Sequence, residues 1–152
     1  MTDTTVVREV IDTVIVKEVT DTRVLALADQ GPPGPPGENP SLYIIASTNI
    51  GGHRVVKSTL TGCTYADSAV LSDLGKILGI TSSATEQGNL TKIHTSGEIE
   101  ESTWNFTTGP VYLGSTGVLT QTLPATGFIQ QVGVAISSTK IAIQIHPSIK
   151  LS

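Results

Sequence analysis

The chain has few of the residues that tie a small protein together or attach it to nucleic acid. Its single cysteine, Cys63, excludes an intrachain disulfide and any metal site that needs two thiols. Nine lysines and arginines stand against thirteen acidic residues, and the formal charge of −4 disfavours a phosphate backbone as ligand. We therefore expect no nucleic-acid partner, and stability must come from packing or from other chains.

Long apolar runs are also absent, and none approaches the roughly 18 residues that a membrane-spanning helix needs. The first ten residues, MTDTTVVREV, lack the basic and then apolar order of a secretory signal. We therefore expect a chain that is made in the cytoplasm and has no membrane as a partner.

Motifs for catalysis, metal binding and phosphate binding are missing as well. His53, His94 and His146 have no second histidine, cysteine or carboxylate at a ligand spacing, and HExxH and CxxC do not occur. Gly51-Gly52 lacks the glycine and lysine pattern of a phosphate-binding loop. The sequence therefore predicts a non-enzymatic protein with no cofactor and no metal.

Four residues have a functional interpretation beside a structural one. Cys63 is predicted in a loop as an inert, partly buried thiol, although the fold could bring a histidine near it and make it a nucleophile. Glu98 and Glu100 share a strand face and could form an acid/base pair, but the solvated face of an edge strand explains them better. Trp104 is predicted in the core, with an exposed anchor for a sugar or protein partner as the alternative.

What the sequence does contain is typical of β-structure. Aromatic residues are only 4 % of the chain, and the apolar positions are filled mainly by Val, Ile, Leu and Ala beside abundant Thr, Ser and Gly. Between turn signals, apolar or alternating runs predict strands at residues 42–45, 54–57, 76–81, 90–95, 97–100, 110–113, 118–120, 128–136 and 140–145. A short helix is expected at residues 67–74. Many short strands at this spacing predict a small antiparallel barrel or sandwich.

Residues 1–29 contain a nine-residue repeat, in which VREVIDT at 7–13 is echoed by VKEVTDT at 16–22. Valine and isoleucine dominate residues 6–16, which favours β-strands over an amphipathic helix with the same apolar positions. The segment is too short to bury an apolar face alone, so it needs a partner surface. We expect it to anchor the chain through Val7, Val10, Val16 and Val19.

Residues 30–40, QGPPGPPGENP, form a collagen-like segment. Glycine at every third position is required only where three polyproline-II chains meet at a crowded axis, and a stiff spacer in a monomer is the alternative. Three triplets are too few to hold three chains together, so a three-fold neck needs trimeric segments on both sides. The predicted neck residues are Gly31, Pro32, Pro33, Gly34, Pro35, Pro36 and Gly37.

The body also carries a series of short segments that resembles a group of known proteins. The series is GGHRVV at 51–56, YADS at 65–68, LGIT at 78–81, TSGEI at 95–99, GPVYLG at 109–114, LTQT at 119–122 and QVGVAIS at 131–137. It is similar to the compact β domains of tailed-bacteriophage virion proteins, which include capsid decoration (cement) proteins and small head or tail fibres. In that group the domain frequently follows a short β anchor and a GPPGPP-type neck. The likeness covers most of residues 30–147, with one proline at Pro124 where two are expected.

The resemblance implies a non-enzymatic virion component, usually a homotrimer, that attaches to a capsid or tail and projects a domain outward. Its partners would be further copies of itself and the major capsid protein or a tail structural protein. A tail-fibre adhesin that binds a host-surface receptor is the alternative function. We therefore expect an all-β virion protein with an anchor at 1–29, a neck at 30–40 and a β domain at 41–152.

Overall fold

Twelve short β-strands and no α-helix form residues 40–152, the part of the chain that the computed structural model describes. The strands are β1 Ser41–Ile45, β2 Val55–Thr59, β3 Gly62–Tyr65, β4 Ile77–Thr81, β5 Leu90–His94, β6 Gly97–Glu100, β7 Gly109–Leu113, β8 Leu119–Thr120, β9 Phe128–Ile129, β10 Gln131–Ala135, β11 Lys140–Ile143 and β12 Ile149–Lys150. Their pairs are antiparallel, which confirms the predicted all-β class. The predicted anchor residues Val7, Val10, Val16 and Val19 and the neck residues from Gly31 to Gly37 lie outside the described residues.

The first sheet has the strand order β1-β5-β4-β2-β3 and curls until its two outer strands meet. A parallel bridge joins Ala46, directly after β1, to Cys63 in β3, and the Ser47 amide donates to the Cys63 carbonyl at 2.8 Å. Gly62 permits this approach, because a Cβ at that position would lie 2.0 Å from the carbonyl oxygen of Ile45. Residues 41–94 therefore form a small closed barrel.

Alternation along the strands gives this barrel an apolar interior. The interior residues are Ala46, Ile50, Val56, Cys63 and Ile93, with Ile44, Tyr65 and Leu78 packed against them. The neighbouring residue on β2, Val55, points the other way and joins a second, larger core. The two cores thus lie on the two faces of the first sheet.

The second sheet has the order β6-β11-β10-β7-β8, and the short pair β9–β12 lies beside it. Its buried face meets the outer face of the barrel at β2 and β4, because Val55 and Ile80 share one core with residues of the second sheet. That core also contains Ala66, Ile99, Val111, Leu113, Phe128, Val132, Ala135, Ile141 and Ile143. Half of the first sheet's outer face is covered in this way, while β1 and β5 lie at its far side.

The predicted helix at residues 67–74 is wrong. The described chain has a single 3-10 turn there, Leu71–Asp73, whose preceding residue makes no side-chain cap. The Asp67 carboxylate accepts hydrogen bonds from the amides of Ala69 and Thr116, at 2.9 and 3.1 Å, and so holds the segment in a loop. Asp73 is buried, where it pairs with Lys57 of β2 and accepts from the Asp67 amide at 3.0 Å.

Two strand predictions also need correction. Cys63 lies in β3 and not in a loop, because the backbone of Gly62–Tyr65 pairs with β2 although its side chains show no apolar alternation. The predicted strand at 128–136 is interrupted at Gln130. The Gln130 side chain is buried, and its amide donates to the carbonyls of Gln131 and His146, so it bonds the loop after β11 instead of continuing a ladder.

The other strand predictions are confirmed to within a few residues. The turn GSTG at 114–117 connects the antiparallel strands β7 and β8, as the sequence predicts. Residues 40–152 include no helix with the length and apolar character needed to cross a membrane.

Candidate interaction surfaces

The residues that carry chemistry are spread over the described domain. Cys63 is fully buried inside the barrel, and burial raises the pKa of its thiol. Within residues 40–152, no group of three or more His, Cys, Asp and Glu residues is arranged to hold a metal ion.

A cleft brings together residues that are far apart in the sequence. His53 has a left-handed backbone with φ of 56°, and its ring contacts the Trp104 ring edge-on with 5.3 Å between the ring centroids. His53 Nδ1 lies 3.4 Å from a carboxylate oxygen of Glu101. The cleft has a volume of about 300 Å³, and Arg54 and Thr103 are also part of its lining.

Trp104 is only half-buried in this arrangement. One side of the side chain packs against the core that the two sheets share, and its ring lies 5.4 Å from the ring of Phe106. The rest of the ring lines the cleft. The core prediction is therefore confirmed in part. The pairing with His53 was missed because no local sequence pattern connects residues 51 positions apart.

The outer strand of the second sheet has an acidic face. Glu98 and Glu100 lie on β6, the first strand of that sheet, while Ile99 between them points into the core. Lys140 lies on the neighbouring strand β11, with its Nζ 3.7 Å from an oxygen of Glu98. The sequence predicted this exposed face of an edge strand, and the prediction is confirmed. Acidic side chains at such an edge discourage further strand pairing.

The outer strand of the first sheet has an apolar face instead. Tyr43 and Ile45 of β1 point away from the barrel interior, and Leu90 of β5 lies opposite Ile45 in the register. The exposed fractions of these three residues are 61, 48 and 63 %, and we call them the apolar patch. The strands β1 and β5, SLYII and LTKIH, contain no acidic residue.

Pro40, the residue before β1, is tied to the residue that follows β5. The carbonyl oxygen of Pro40 accepts hydrogen bonds from the amide and the hydroxyl of Thr95, at 3.3 and 3.4 Å. These bonds fix the last residue of the collagen-like segment against the end of β5. Tyr43 follows Pro40 by three residues, which is at most about 10 Å of extended chain.

A second apolar feature is a groove between the ends of the second sheet and the β9–β12 pair. It has a volume of about 430 Å³. Leu123 and Ile149 line it, and both are more than half exposed.

No protein-family model, curated protein or solved structure matches the chain.

Proposed function

We propose that this chain is a non-enzymatic structural component of a tailed-phage virion. It is a homotrimeric fibre or decoration protein that attaches to the particle, with the capsid favoured, and displays residues 41–152. The resemblance of the segments between residues 51 and 137 to virion β domains supports the phage assignment. The exposed apolar patch of the described domain supports a role in assembly.

One observation carries the trimeric part of the proposal, namely the glycine at every third position of the collagen-like segment. Glycine at positions 31, 34 and 37 fits three chains around one axis, and nine such residues would span roughly 28 Å. β1 begins at Ser41, and the carbonyl of Pro40 before it accepts from Thr95 after β5. A spacer in a monomer does not need the glycine period.

The mass of the full chain in solution tests the trimer. Three copies of the 15.8 kDa chain give about 47 kDa, which sedimentation or native mass spectrometry at micromolar concentration resolves. A monomer under these conditions would overturn the proposal. Gly34→Val distinguishes a neck from a spacer, because a side chain at the crowded axis disrupts a triple helix but leaves a spacer intact. Glu38→Val, which introduces the same side chain at a non-glycine position of the third triplet, is the matched control.

Residues 1–29 would attach the trimer to the major capsid protein or to a tail structural protein. Strand addition suits a valine-rich segment that cannot bury its apolar face alone. We expect Val10→Asp with Val19→Asp to abolish association with purified particles while leaving the mass unchanged. Thr13→Asp with Thr22→Asp places the same charges at equivalent polar positions of the repeat and is the control. Particles that lack this chain when analysed by mass spectrometry would refute the virion assignment.

The cleft at His53 favours a second candidate, an adhesin that binds a host-surface receptor. A half-exposed tryptophan beside a carboxylate, an imidazole and a guanidinium combines an apolar platform with directional polar groups, as small-ligand sites do. Under this hypothesis the full chain binds host cells and Glu101→Gln weakens binding, whereas Glu100→Gln on β6 does not. No binding of the unmodified chain to cells or glycans would dismiss the adhesin and leave the structural role.

A further inference from the structure

We propose that the apolar patch of Tyr43, Ile45 and Leu90 is where the β domains of neighbouring copies pack against each other at the base of the neck. The occupant of the patch is thus a second copy of this chain. The inference rests on the proposed trimer and deepens it, because it names the surface of the domain that completes the assembly.

The place where residues 30–40 end determines which surface meets the neighbours. If three such segments share an axis, the three Pro40 residues lie around that axis, each bonded to Thr95 at the end of its own β5. β1 leads away from this point and rises by about 3.3 Å per residue, so Tyr43 and Ile45 remain within about 17 Å of the end of the neck. β1 and the end of β5 are therefore tied by the chain and by hydrogen bonds to the point where the copies would meet, which puts them within reach of a neighbour.

The chemistry of the patch fits a neighbour of the same kind. Tyr43, Ile45 and Leu90 leave a large apolar area in water, and exposed apolar groups on an outer strand favour association unless a partner covers them. Lys92, opposite Tyr43 in the register, brings one positive charge from each copy, and the apolar contact of Tyr43, Ile45 and Leu90 must offset that repulsion. A tyrosine among aliphatic residues is typical of the centre of an interface.

Two adjacent strands such as β1 and β5 can make the contacts between neighbouring copies that a three-fold axis requires. Away from the axis, contacts in a trimer are between different parts of neighbouring copies. Tyr43, the patch residue nearest to Pro40 in the chain, would meet its equivalents close to the axis, whereas Ile45 of one copy can cover Leu90 of the next around the ring. Three short segments of Gly-X-Y could not hold together alone, and contacts directly below them would supply the missing stability.

The groove at Leu123 and Ile149 is the competing apolar surface, and it serves as the control. It belongs to β9, β12 and the loop before β9, none of which adjoins residues 30–40 in the chain. Nothing in the described domain indicates what would occupy it.

The test compares Leu90→Asp with Ile149→Asp in the full chain. Both replace an exposed aliphatic residue in a strand, with exposed fractions of 63 and 59 %. We expect Leu90→Asp to raise the protein concentration at which the trimer dissociates by about 100-fold. Sedimentation at a series of concentrations measures this value. Ile149→Asp should change that concentration less than about threefold. Circular dichroism shows whether each variant remains folded.

A cysteine at the patch gives a second measurement that does not depend on destabilising the trimer. Cys63 is buried with a raised pKa, so a thiol introduced by Tyr43→Cys is the reactive one. Oxidation should link two copies and leave the third free, so the covalent dimer approaches about two thirds of the chains. Ile149→Cys should give no such product.

The outcomes separate the two proposals. If the unmodified chain is a monomer, the trimer fails and the patch assignment fails with it. If the unmodified chain is a trimer but Leu90→Asp leaves it intact and Tyr43→Cys forms no dimer, only the patch assignment is overturned. If Ile149→Asp dissociates the trimer and Leu90→Asp does not, the interface lies at the groove, and the patch assignment is overturned.

Discussion

The outer strands of the two five-stranded sheets, β1 and β6, differ in the chemistry of the side chains that they expose to solvent. β6 presents Glu98 and Glu100 to solvent around the buried Ile99, whereas β1 presents Tyr43 and Ile45 around Ile44, which packs into the barrel. In each strand a central residue, Ile99 or Ile44, packs inward, and the comparison concerns the outward positions beside it. Charge keeps the outward side of β6 in water, whereas the uncharged outward residues of β1 favour a cover.

The position of each strand in the chain gives the difference its meaning. β1 begins four residues after Gly37, the last glycine of the period, and β6 begins three residues after β5 ends, in the middle of the domain. A neck can bring three copies of β1 together, but it places no such constraint on β6. The apolar edge therefore lies where the proposed trimer would cover it, and the acidic edge lies where no neighbour is required.

Copying the acidic pattern onto β1 should have the largest effect. Tyr43→Glu with Ile45→Glu reproduces the spacing of Glu98 and Glu100, and three copies would then meet with six like charges. We expect the trimer of the full chain to weaken by about 1,000-fold or more, because unpaired charges would be buried at an apolar contact. Sedimentation over a range of concentrations measures this. Leu123→Glu with Ile149→Glu adds the same charge elsewhere, and an equal loss of mass in that control would remove the distinction between the surfaces.

The two sheets also differ in the burial of their ion pairs. In the first sheet Lys57 pairs with the buried carboxylate of Asp73, which also accepts from the Asp67 amide. Lys57→Met leaves that carboxylate buried without its cation and should lower the free energy of unfolding by about 3 kcal/mol. Denaturant unfolding measures the change. Lys57→Met combined with Asp73→Asn should recover much of the loss, since the amide can still accept from Asp67. No recovery would mean that Lys57 acts through packing alone.

The strands of the domain could be predicted where their own side chains carry the pattern. Ile141 and Ile143 alternate with Ala142 in β11, and glycine-rich turns mark the ends of the preceding strands. β3 was not predicted, because apolar and polar side chains do not alternate in Gly62–Tyr65. Its strand conformation comes from pairing with β2 and from the bridge to Ala46. Long-range backbone hydrogen bonds leave no trace in a local sequence pattern.

The exposed faces of β6 and β1 also differ in whether the sequence predicts them. Glu98-Ile99-Glu100 shows by its own alternation which face is wet, so the acidic edge was predictable. In LYII at 42–45 every residue is apolar, and nothing in the run tells which side chains are buried. The exposure of Tyr43 and Ile45 depends on closure of the barrel and on the second sheet covering β2 and β4 but not β1. Only tertiary packing decides this.

Making the acidic edge apolar is the converse experiment and should have a smaller effect. Glu98→Val with Glu100→Val leaves the core position Ile99 unchanged but removes the charges that oppose pairing at β6. We expect new association beyond the trimer, beginning at about tenfold lower concentration than for the unmodified chain. Light scattering during concentration measures it. Glu98→Gln with Glu100→Gln loses the same charge but stays polar, and if it associates equally, net charge and not the edge controls solubility.

The smallest effect is expected from the ion pair across the acidic edge. Lys140 Nζ lies 3.7 Å from a Glu98 oxygen, and both side chains are more than a third exposed, so water screens their attraction. Lys140→Met should therefore change the free energy of unfolding by no more than about 0.5 kcal/mol, and less at high salt. Denaturant unfolding at two salt concentrations measures both values. A loss approaching that of Lys57→Met would mean that the pair holds β6 to β11. The acidic edge would then serve the fold itself, and its charge could no longer be explained as protection against pairing.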